Sequence, residues 1–226
     1  MKKLFILLGA VVISGTLFAQ KPSIDDSKYS LEGMINYSDA GFQWDAPNLR
    51  MRYFIKDNIA ARVTLGISSA SVTDNVYQVD SGTGIGTIDM GSMSWSLGLG
   101  AEYHLSGTDR LSPYFSAGLT FGGMSMTEDW NNSDGVDYMT DMTASVESSS
   151  STFGLGVGAG VDYYVFDNIY IGMEMGLNWN NYTDGGGSTT ITTGGTTTDL
   201  ATGSSGSNSD LSLGGGNMGF RIGWRF

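Results

Sequence analysis

Apolar and polar residues alternate with a period of two in eight segments of this 226-residue chain. In segment 92–105, for example, Met93, Trp95, Leu97 and Leu99 alternate with serine and glycine, so that one face is apolar and the other is small or polar. Alternation of this kind predicts β-strands whose two faces meet different surroundings. The predicted strands are 29–37, 49–55, 59–68, 92–105, 113–123, 152–165, 169–179 and 211–226.

The connections between these predicted strands alternate in length. The short ones are 56–58, 106–112 and 166–168, and the long ones are 38–48, 69–91, 124–151 and 180–210. This order places every tight turn at one end of an antiparallel sheet and every long connection at the other, an asymmetry typical of membrane barrels. We therefore predict an all-β fold, an eight-stranded antiparallel up-and-down transmembrane β-barrel over residues 29–226.

The first 20 residues have the order of a secretory signal peptide. Lys2 and Lys3 precede the apolar run 4–13, and Ala19 offers a small residue at the expected cleavage position. A membrane-spanning helix needs about 20 apolar residues, so this run is too short for an anchor. We predict that residues 1–20 are removed and that 21–28 form a periplasmic tail.

Alternation alone leaves open which face lines the lumen. A soluble, lipocalin-like barrel has its apolar face inward, whereas a membrane barrel has it outward against lipid. Aromatic residues near the strand ends favour the membrane barrel, because tyrosine and tryptophan are enriched at both bilayer interfaces. The predicted aromatic girdle consists of Tyr29, Tyr37, Tyr53, Trp95, Tyr103, Tyr163 and Trp179.

The polar face of the predicted strands carries five arginines and four carboxylates. Unpaired buried charge is costly, so we expect opposite charges to pair inside the barrel. An eight-stranded barrel is just wide enough for side chains to fill, and we predict a packed ionic plug instead of an open channel. The predicted lumen charge network is Glu32, Arg50, Arg52, Arg62, Glu102, Asp162, Glu174, Arg221 and Arg225.

Charge and composition narrow the function classes. Acidic residues number 23 against 11 basic ones, which argues against a nucleic-acid partner. The long connections contain neither Lys nor Arg, and the chain contains no Cys. His104 is the only histidine, which leaves no two-histidine metal site. Stretch 129–135 has its Gly one position too late for an EF-hand and lacks the terminal Glu, leaving loose divalent binding as an alternative.

The end of the chain resembles the terminal strand of outer-membrane barrels, which finishes in an aromatic residue preceded by apolar residues at alternate positions. The matching residues here are Phe220, Ile222, Trp224 and Phe226. The chain as a whole is similar to the small OmpA/OmpX-type barrels of the porin family. That resemblance implies recognition of the last strand by the barrel assembly machinery, residence in the bacterial outer membrane after export through the inner membrane, and contact with lipid and lipopolysaccharide.

These observations predict a non-enzymatic, monomeric outer-membrane protein without a cofactor. Its closed barrel is expected to display long acidic extracellular loops for surface interaction or membrane integrity, with 124–151 and 180–210 as the candidate ligand-binding loops. The alternative is a narrow, gated, porin-like channel for small solutes or ions. An outer-membrane enzyme would need a cluster of acid, base and nucleophile that the sequence does not assemble around His104.

Overall fold

The structure is a computed structural model that describes residues 21, 23–38, 41–79, 82–213 and 219–226. For 35–38, 41–48, 213 and 219 the description covers the backbone only. The predicted signal peptide, 1–20, and the glycines 214–216 lie outside the described residues, and so does the side chain of Tyr37.

The described residues form antiparallel strands, and no helix occurs among them. The strands are β1 Tyr29–Ser38, β2 Gly41–Lys56, β3 Ile59–Tyr77, β4 Ile85–His104, β5 Leu111–Ser133, β6 Tyr138–Phe166, β7 Ile169–Thr193, β8 Thr196–Thr202, β9 Ser207–Leu213 and β10 Gly219–Arg225. Within this part of the chain there is accordingly no helix long and apolar enough to cross a membrane.

The sheet closes on itself through its last strand. On one side β10 pairs with β1, Arg225 lying opposite Ser30, and on the other it pairs with β7, Trp224 lying opposite Ile169. Each remaining strand from β1 to β7 pairs with its neighbour in sequence, so the closed ring consists of β1–β7 and β10. The backbone groups of a closed ring find their partners between strands, which removes the free edges of an open sheet.

The closed ring has eight strands, but the sheet as a whole has ten among the described residues, two more than the sequence predicted for 29–226. The difference lies after β7, where one predicted strand, 211–226, is replaced by three. β8, β9 and β10 pair in turn with the outer, middle and inner parts of β7. β8 falls within a predicted loop, 180–210, whose threonines favour extended structure.

All four predicted long loops are largely strand, and 38–48 consists of the end of β1 and the start of β2 in its described residues. The segment 69–91 contains the ends of β3 and β4, 124–151 contains those of β5 and β6, and 180–210 contains the end of β7 with β8 and the start of β9. In these stretches Ser, Thr and Gly alternate with only occasional apolar residues. The alternation in hydropathy is therefore weak, although the backbone can still pair with a neighbouring strand. The protein therefore projects paired hairpins, not irregular loops, from the long-connection end.

The short turns gather at the opposite end of the barrel with both ends of the described chain. The His104 amide donates to Asn58 O at 2.9 Å, and the Arg225 amide donates to Asn168 O at 2.7 Å, so neighbouring turns are linked. Phe54 N donates to Lys28 O at 2.8 Å, and Ile24 N donates to Asp57 Oδ1 at 2.9 Å. The segment before β1 thus lies across the short-turn end.

The two faces of the barrel wall differ as alternation requires. Most aliphatic side chains of the ring point outward and stay exposed; Leu65, Val157 and Met175 are 52%, 57% and 59% exposed. Arg52 and Tyr114 point inward and are buried. An apolar exterior and a charged interior exclude the lipocalin-like arrangement, since that barrel requires the reverse.

Candidate functional site

Arg52 is the centre of a charged plug in the short-turn half of the lumen. Its Nη1 donates to Glu102 Oε2 at 3.0 Å and to Asp162 Oδ2 at 2.7 Å, and its Nη2 donates to Glu32 Oε1. All four side chains are completely shielded from solvent. A guanidinium presents five donors in a fixed planar arrangement, and this is why one arginine can join carboxylates from three strands.

Glu174 joins a second group of charges one layer further out. Its carboxylate accepts from Arg50 and Arg62, each at 2.9 Å, and from Arg221 Nη1 at 2.7 Å. Arg221 Nη2 also donates to Asp162 Oδ1 at 2.9 Å, which connects this layer to the Arg52 cluster. Four arginines and four carboxylates from seven strands of the closed ring thereby form one network.

Aromatic side chains complete the plug, and the sequence analysis did not assign them to it. Tyr170 donates its hydroxyl to Glu32 Oε1 at 2.6 Å, and Tyr114 donates to Glu174 Oε2 at 2.7 Å. The Arg52 guanidinium lies 5.2 and 5.5 Å from these two rings, and 6.0 Å from Phe54. Their positions are even-numbered like those of the lumen charges on β1–β7, which is the signal that would have identified them.

Two lumen tyrosines each lie over a glycine on the neighbouring strand. Tyr114 is directly opposite Gly160, and Tyr170 is directly opposite Gly223. A Cβ placed on either glycine would come within 2.4 Å and 2.1 Å, respectively, of the facing ring. The glycines therefore give the rings room to lie against the barrel wall.

Arg225 does not join the carboxylate network. Its Nε donates to Ser27 O at 3.1 Å, and its guanidinium lies 3.8 Å from the centre of the Phe54 ring. The expectation that each lumen arginine lies near a carboxylate is wrong here. Arg225 is one residue from the chain end, where the segment before β1 supplies a carbonyl and Phe54 supplies a π-face.

His104 lies buried at the same end. Its ring packs between Phe54 and Tyr114, with ring centres 5.4 and 5.1 Å away. Nδ1 is 2.9 Å from Ser112 Oγ and Nε2 is 3.3 Å from Glu102 Oε2. This places a serine, a histidine and a glutamate in one chain of contacts. Ser112 is only 2% exposed, so the hydroxyl has no access to a substrate in this arrangement.

A cavity of about 220 Å³ lies directly above the plug. Arg50, Arg62 and Glu174 contribute to its charged floor, and Thr64 and Asn178 contribute to its walls. The lumen is therefore not packed throughout, which corrects the prediction of a filled interior. Short side chains and glycines at the lumen positions of the outer half leave this space open.

The predicted girdle residues with described side chains form two groups at different depths. The Tyr29 and Tyr53 rings pack with their centres 5.2 Å apart near the short turns, and the Trp224 and Phe226 ring centres are 4.9 Å apart at the same end. Tyr103 and Tyr163 lie at that end too, whereas Trp95 and Trp179 lie towards the hairpins. Phe121 and Phe153, which were not predicted as girdle residues, join Trp179 in a run of ring contacts.

Residues Phe220, Ile222, Trp224 and Phe226 form the outward face of the closing strand and are 37–54% exposed. The Tyr29 amide donates to Phe226 O at 2.9 Å, and the Phe226 amide donates back to Tyr29 O at 2.8 Å. The terminal residue thus completes the seam between β1 and β10. The assembly role suggested by this pattern remains a prediction.

The hairpins carry acidic side chains held by local hydrogen bonds. Asp134 Oδ1 accepts from Asp137 N at 2.8 Å and Val136 N at 3.0 Å, and these donors lower the pKa of Asp134. A hydrogen bond from Ser205 similarly lowers the pKa of Asp184. Among the described residues, no group of three or more histidine and acidic side chains is arranged to hold a metal ion.

Comparison with known families decides the class of this barrel. Residues 45–184, more than half of the chain, match the putative OmpA-OmpF-like porin family. The chain belongs to that family. This porin-family protein is an antiparallel β-barrel of the bacterial outer membrane, as the resemblance in its last strand implied.

Several solved outer-membrane proteins are similar to this porin-family chain at low sequence identity. A major outer membrane protein from Thermus thermophilus is 16% identical, with 88% of this chain and 99% of that chain covered and a TM-score of 0.48. Ail, the attachment invasion locus protein of Yersinia pestis, is 14% identical, with coverage of 88% and 97% and a TM-score of 0.38.

The outer membrane protease OmpT from Escherichia coli is 12% identical, with 88% and 94% covered and a TM-score of 0.36. A search of curated proteins finds no match to this porin-family chain. One fold can carry unrelated functions, so the barrel fold alone does not decide whether this member of the family is an enzyme.

Proposed function

We propose that this porin-family protein is a non-enzymatic, closed scaffold whose outer hairpins make its external contacts. The observation that carries the proposal is the asymmetry between its two ends. The short-turn half of the lumen is filled by a paired ionic plug, with Arg52, Glu32, Glu102 and Asp162 fully shielded. At the other end β3–β9 continue as acidic hairpins, and surface segments on a rigid frame are where binding residues concentrate.

Two further contacts belong to the same proposal. The outward rings of Tyr53, Trp95 and Trp224 are expected to lie at the lipid and lipopolysaccharide headgroups, because amphipathic aromatic side chains prefer that depth. The outward face of β10 is expected to be read by the barrel assembly machinery. The closed ring leaves no edge within the barrel wall for pairing with a second copy, which favours a monomer.

Shortening the hairpins tests the proposal. Segments 69–91, 124–151 and 180–210 are replaced by tight Asn-Gly turns. We expect the barrel to fold, because the β10–β1 and β10–β7 pairings lie outside these segments. Binding of the producing cells to host cells, matrix or lipid surfaces should be abolished, measured as adherence relative to cells with the full-length protein.

A matched control replaces three exposed threonines of β8 and β7 with serine, which keeps hairpin length and charge. Equal surface levels of all variants are verified by protease protection and by the mobility of the folded form on gels. A barrel with short turns that retains every binding activity of the full-length protein would contradict the proposal.

The family description gives a specific reason to test the alternative, a narrow gated channel. We expect no steady single-channel steps from the refolded protein in planar bilayers, because the plug closes the lumen below the cavity. The test compares the wild type with Glu102→Gln and Glu174→Gln, which each remove one carboxylate charge from the network. Steady conductance of the wild type, altered by either substitution, would replace the scaffold with a channel.

A further inference from the structure

The apolar and polar faces of the sheet exchange sides beyond the membrane barrel. We define the outer sheet as 68–77, 85–94, 123–133, 138–151, 183–193 and 196–202, the parts of β3–β8 beyond Trp95. In the barrel, odd-numbered positions of β4 carry outward apolar residues, such as Leu99 and Tyr103. In the outer sheet, the even-numbered positions of β4 are apolar, including Ile88 and Met90. Regular pairing continues across this boundary, so the even positions still face the side of the lumen.

The exchange is common to several strands. The side continuous with the lumen, which we call the inner face, carries apolar residues on several neighbouring strands. One cross-strand row joins Ile88, Trp130, Ala144 and Ile191, whereas Met124 and Met126 lie on the same face of β5 opposite serines. The apolar residues of the inner face include Val72, Ile88, Met90, Met124, Met126, Trp130, Met142, Ala144, Val146 and Ile191. On the opposite face Thr73, Asp89, Asp129 and Ser145 lie in one row, in which the Thr73 hydroxyl donates to Asp89 and the Ser145 hydroxyl donates to Asp129.

Part of the inner face is covered by its own side chains, and part is open. Ile88 and Ala144 are buried on either side of Trp130, whose Nε1 donates to Glu128 Oε1 at 2.7 Å. Met90, Met124 and Met126 remain 38%, 39% and 49% exposed. A contiguous apolar surface exposed to water typically marks a binding site.

The strands around the inner face leave it accessible. β1 ends at Ser38 and β2 begins at Gly41, whereas β3 continues to Tyr77. β2 pairs with β3 only as far as Leu65, so the outer sheet is open on that side in the described part of the chain. A partner therefore has a route to the inner face that does not pass through the barrel.

Charge restricts the nature of the partner. Asp74 and Glu128 share the inner face with the apolar residues. The connections and strand ends of the outer sheet contain further acidic residues and neither Lys nor Arg. An anionic lipid or an acidic peptide would be repelled by this surface, whereas a cationic partner would be attracted. Methionine suits such a surface because its flexible side chain adapts to apolar partners of different shapes.

We propose that the inner face of the outer sheet binds a cationic amphipathic peptide. Its apolar side contacts Met90, Met124 and Met126, and its basic residues lie near Asp74 and Glu128. This inference rests on the proposed function, because it names the chemistry of the partner that the outer hairpins contact. It concerns the inner face alone and not the tips or edges of the hairpins.

The test uses the full-length barrel refolded in zwitterionic nanodiscs. The probe is a Leu/Lys amphipathic peptide of about 18 residues, or five helical turns. A Ser/Lys peptide of equal charge and a Leu/Glu peptide with the same apolar side serve as control probes, and binding is followed by calorimetry. We expect only the Leu/Lys peptide to bind. Its affinity should fall as salt rises from about 0.01 to 0.15 M, because the screening length shortens from about 30 to 8 Å.

Two pairs of variants separate the inner face from the rest of the surface. Replacing Met90, Met124 and Met126 together with serine should weaken binding at least about tenfold, because apolar area is lost. Met93→Ser replaces one exposed methionine on the opposite face of β4 and should leave binding unchanged, whereas Met90→Ser alone should weaken it. Asp74→Asn with Glu128→Gln should weaken binding more than Asp89→Asn with Asp129→Asn, which removes equal charge from the other face.

Each remaining outcome is decisive. Unchanged affinity of the triple serine variant, equal binding of the Leu/Glu peptide, or self-association of the barrel through this face would overturn the inference. Retained peptide binding by the triple variant, together with loss of adherence when the hairpins are shortened, would reject the inference and keep the proposed function. Adherence that survives shortened hairpins would reject the proposed function whatever the peptide does.

Discussion

Replacing Arg52 with methionine is expected to lower the free energy of unfolding by about 3–5 kcal/mol, the usual effect of breaking a buried ion pair. The substitution keeps most of the side-chain volume and removes the charge. Glu32, Glu102 and Asp162 then lose their shared partner in a part of the lumen that water does not reach. The measurement is a urea titration of the refolded barrel in lipid vesicles, followed by tryptophan fluorescence.

The matched control is Arg62→Met. Arg62 also binds two carboxylates, but its side chain borders the cavity above the plug and is 15% exposed. Water can replace its contacts, so we expect a loss of about 1.5–3 kcal/mol, as for a charged hydrogen bond. Adding Glu102→Gln to Arg52→Met should recover part of the loss, since one uncompensated charge is removed. Equal unfolding midpoints for the wild type and Arg52→Met would contradict the account of the plug.

Replacing Gly223 with alanine is expected to destabilise the barrel by about 1–3 kcal/mol through overpacking. In an ordinary strand the same change is favourable, because glycine weakens a strand relative to alanine by about 0.5–1 kcal/mol. Here the new methyl group would meet the Tyr170 ring at 2.1 Å. Moving that ring would disturb its hydrogen bond to Glu32 and its contact with Arg52.

The control for this prediction is Gly156→Ala, on the same face of the wall. Its nearest obstacle is the Asn178 side-chain oxygen, which borders the cavity and has room to turn. We expect this variant to match or exceed the wild type in the urea titration. A smaller effect of Gly223→Ala in a Tyr170→Leu background would show that the two residues are coupled. Destabilisation of the same size in both backgrounds would argue against the ring contact.

The barrel wall was largely predictable, because its alternation is strict. Segments such as 92–105 and 152–165 place apolar residues at every second position, and they correspond to the barrel-wall parts of β4 and β6. The lengths of the connections alone predicted that all tight turns lie at one end of the barrel. The alternation is strong here because every second residue faces lipid and is apolar, whereas the residues between them face the lumen and are polar or small.

The extent of the hairpins was less predictable for a physical reason. Segment 180–210 is rich in Thr, Gly and Ser, and a strand with water on both faces needs no apolar alternation to pair. The apolar face also changes sides near Trp95, so that Met124 and Met126 occupy positions on the lumen side. The alternation of the barrel wall therefore stops there, and the predicted strands ended too early. Had the alternation been followed through this change of sides, the predicted strands would have covered more of β4, β5 and β6.

The charged residues of the lumen were predicted from the sequence, whereas the aromatic residues packed among them were not. Charged residues are conspicuous on a polar face, whereas Phe54, Tyr164 and Tyr170 resemble lipid-facing residues of the same strands until their parity is compared. The position of Arg225 depends on a contact with Ser27, which precedes the first strand and has no periodic signal. Side chains that are placed by neighbours distant in sequence cannot be located from local pattern.

Insertions in the outer hairpins are constrained by the two-residue period of a strand. Two extra residues in a strand preserve the side on which every later residue lies, whereas one extra residue reverses it. β7 contains one such insertion: Asp184 pairs with Ser150 but Gly186 pairs with Ser149, which leaves Gly185 unpaired in the ladder. Beyond it, Ile191 lies opposite Ala144 on the inner face. During divergence, hairpins of this protein are therefore expected to lengthen by even numbers of residues per strand, or by odd numbers with a second bulge that restores the sidedness.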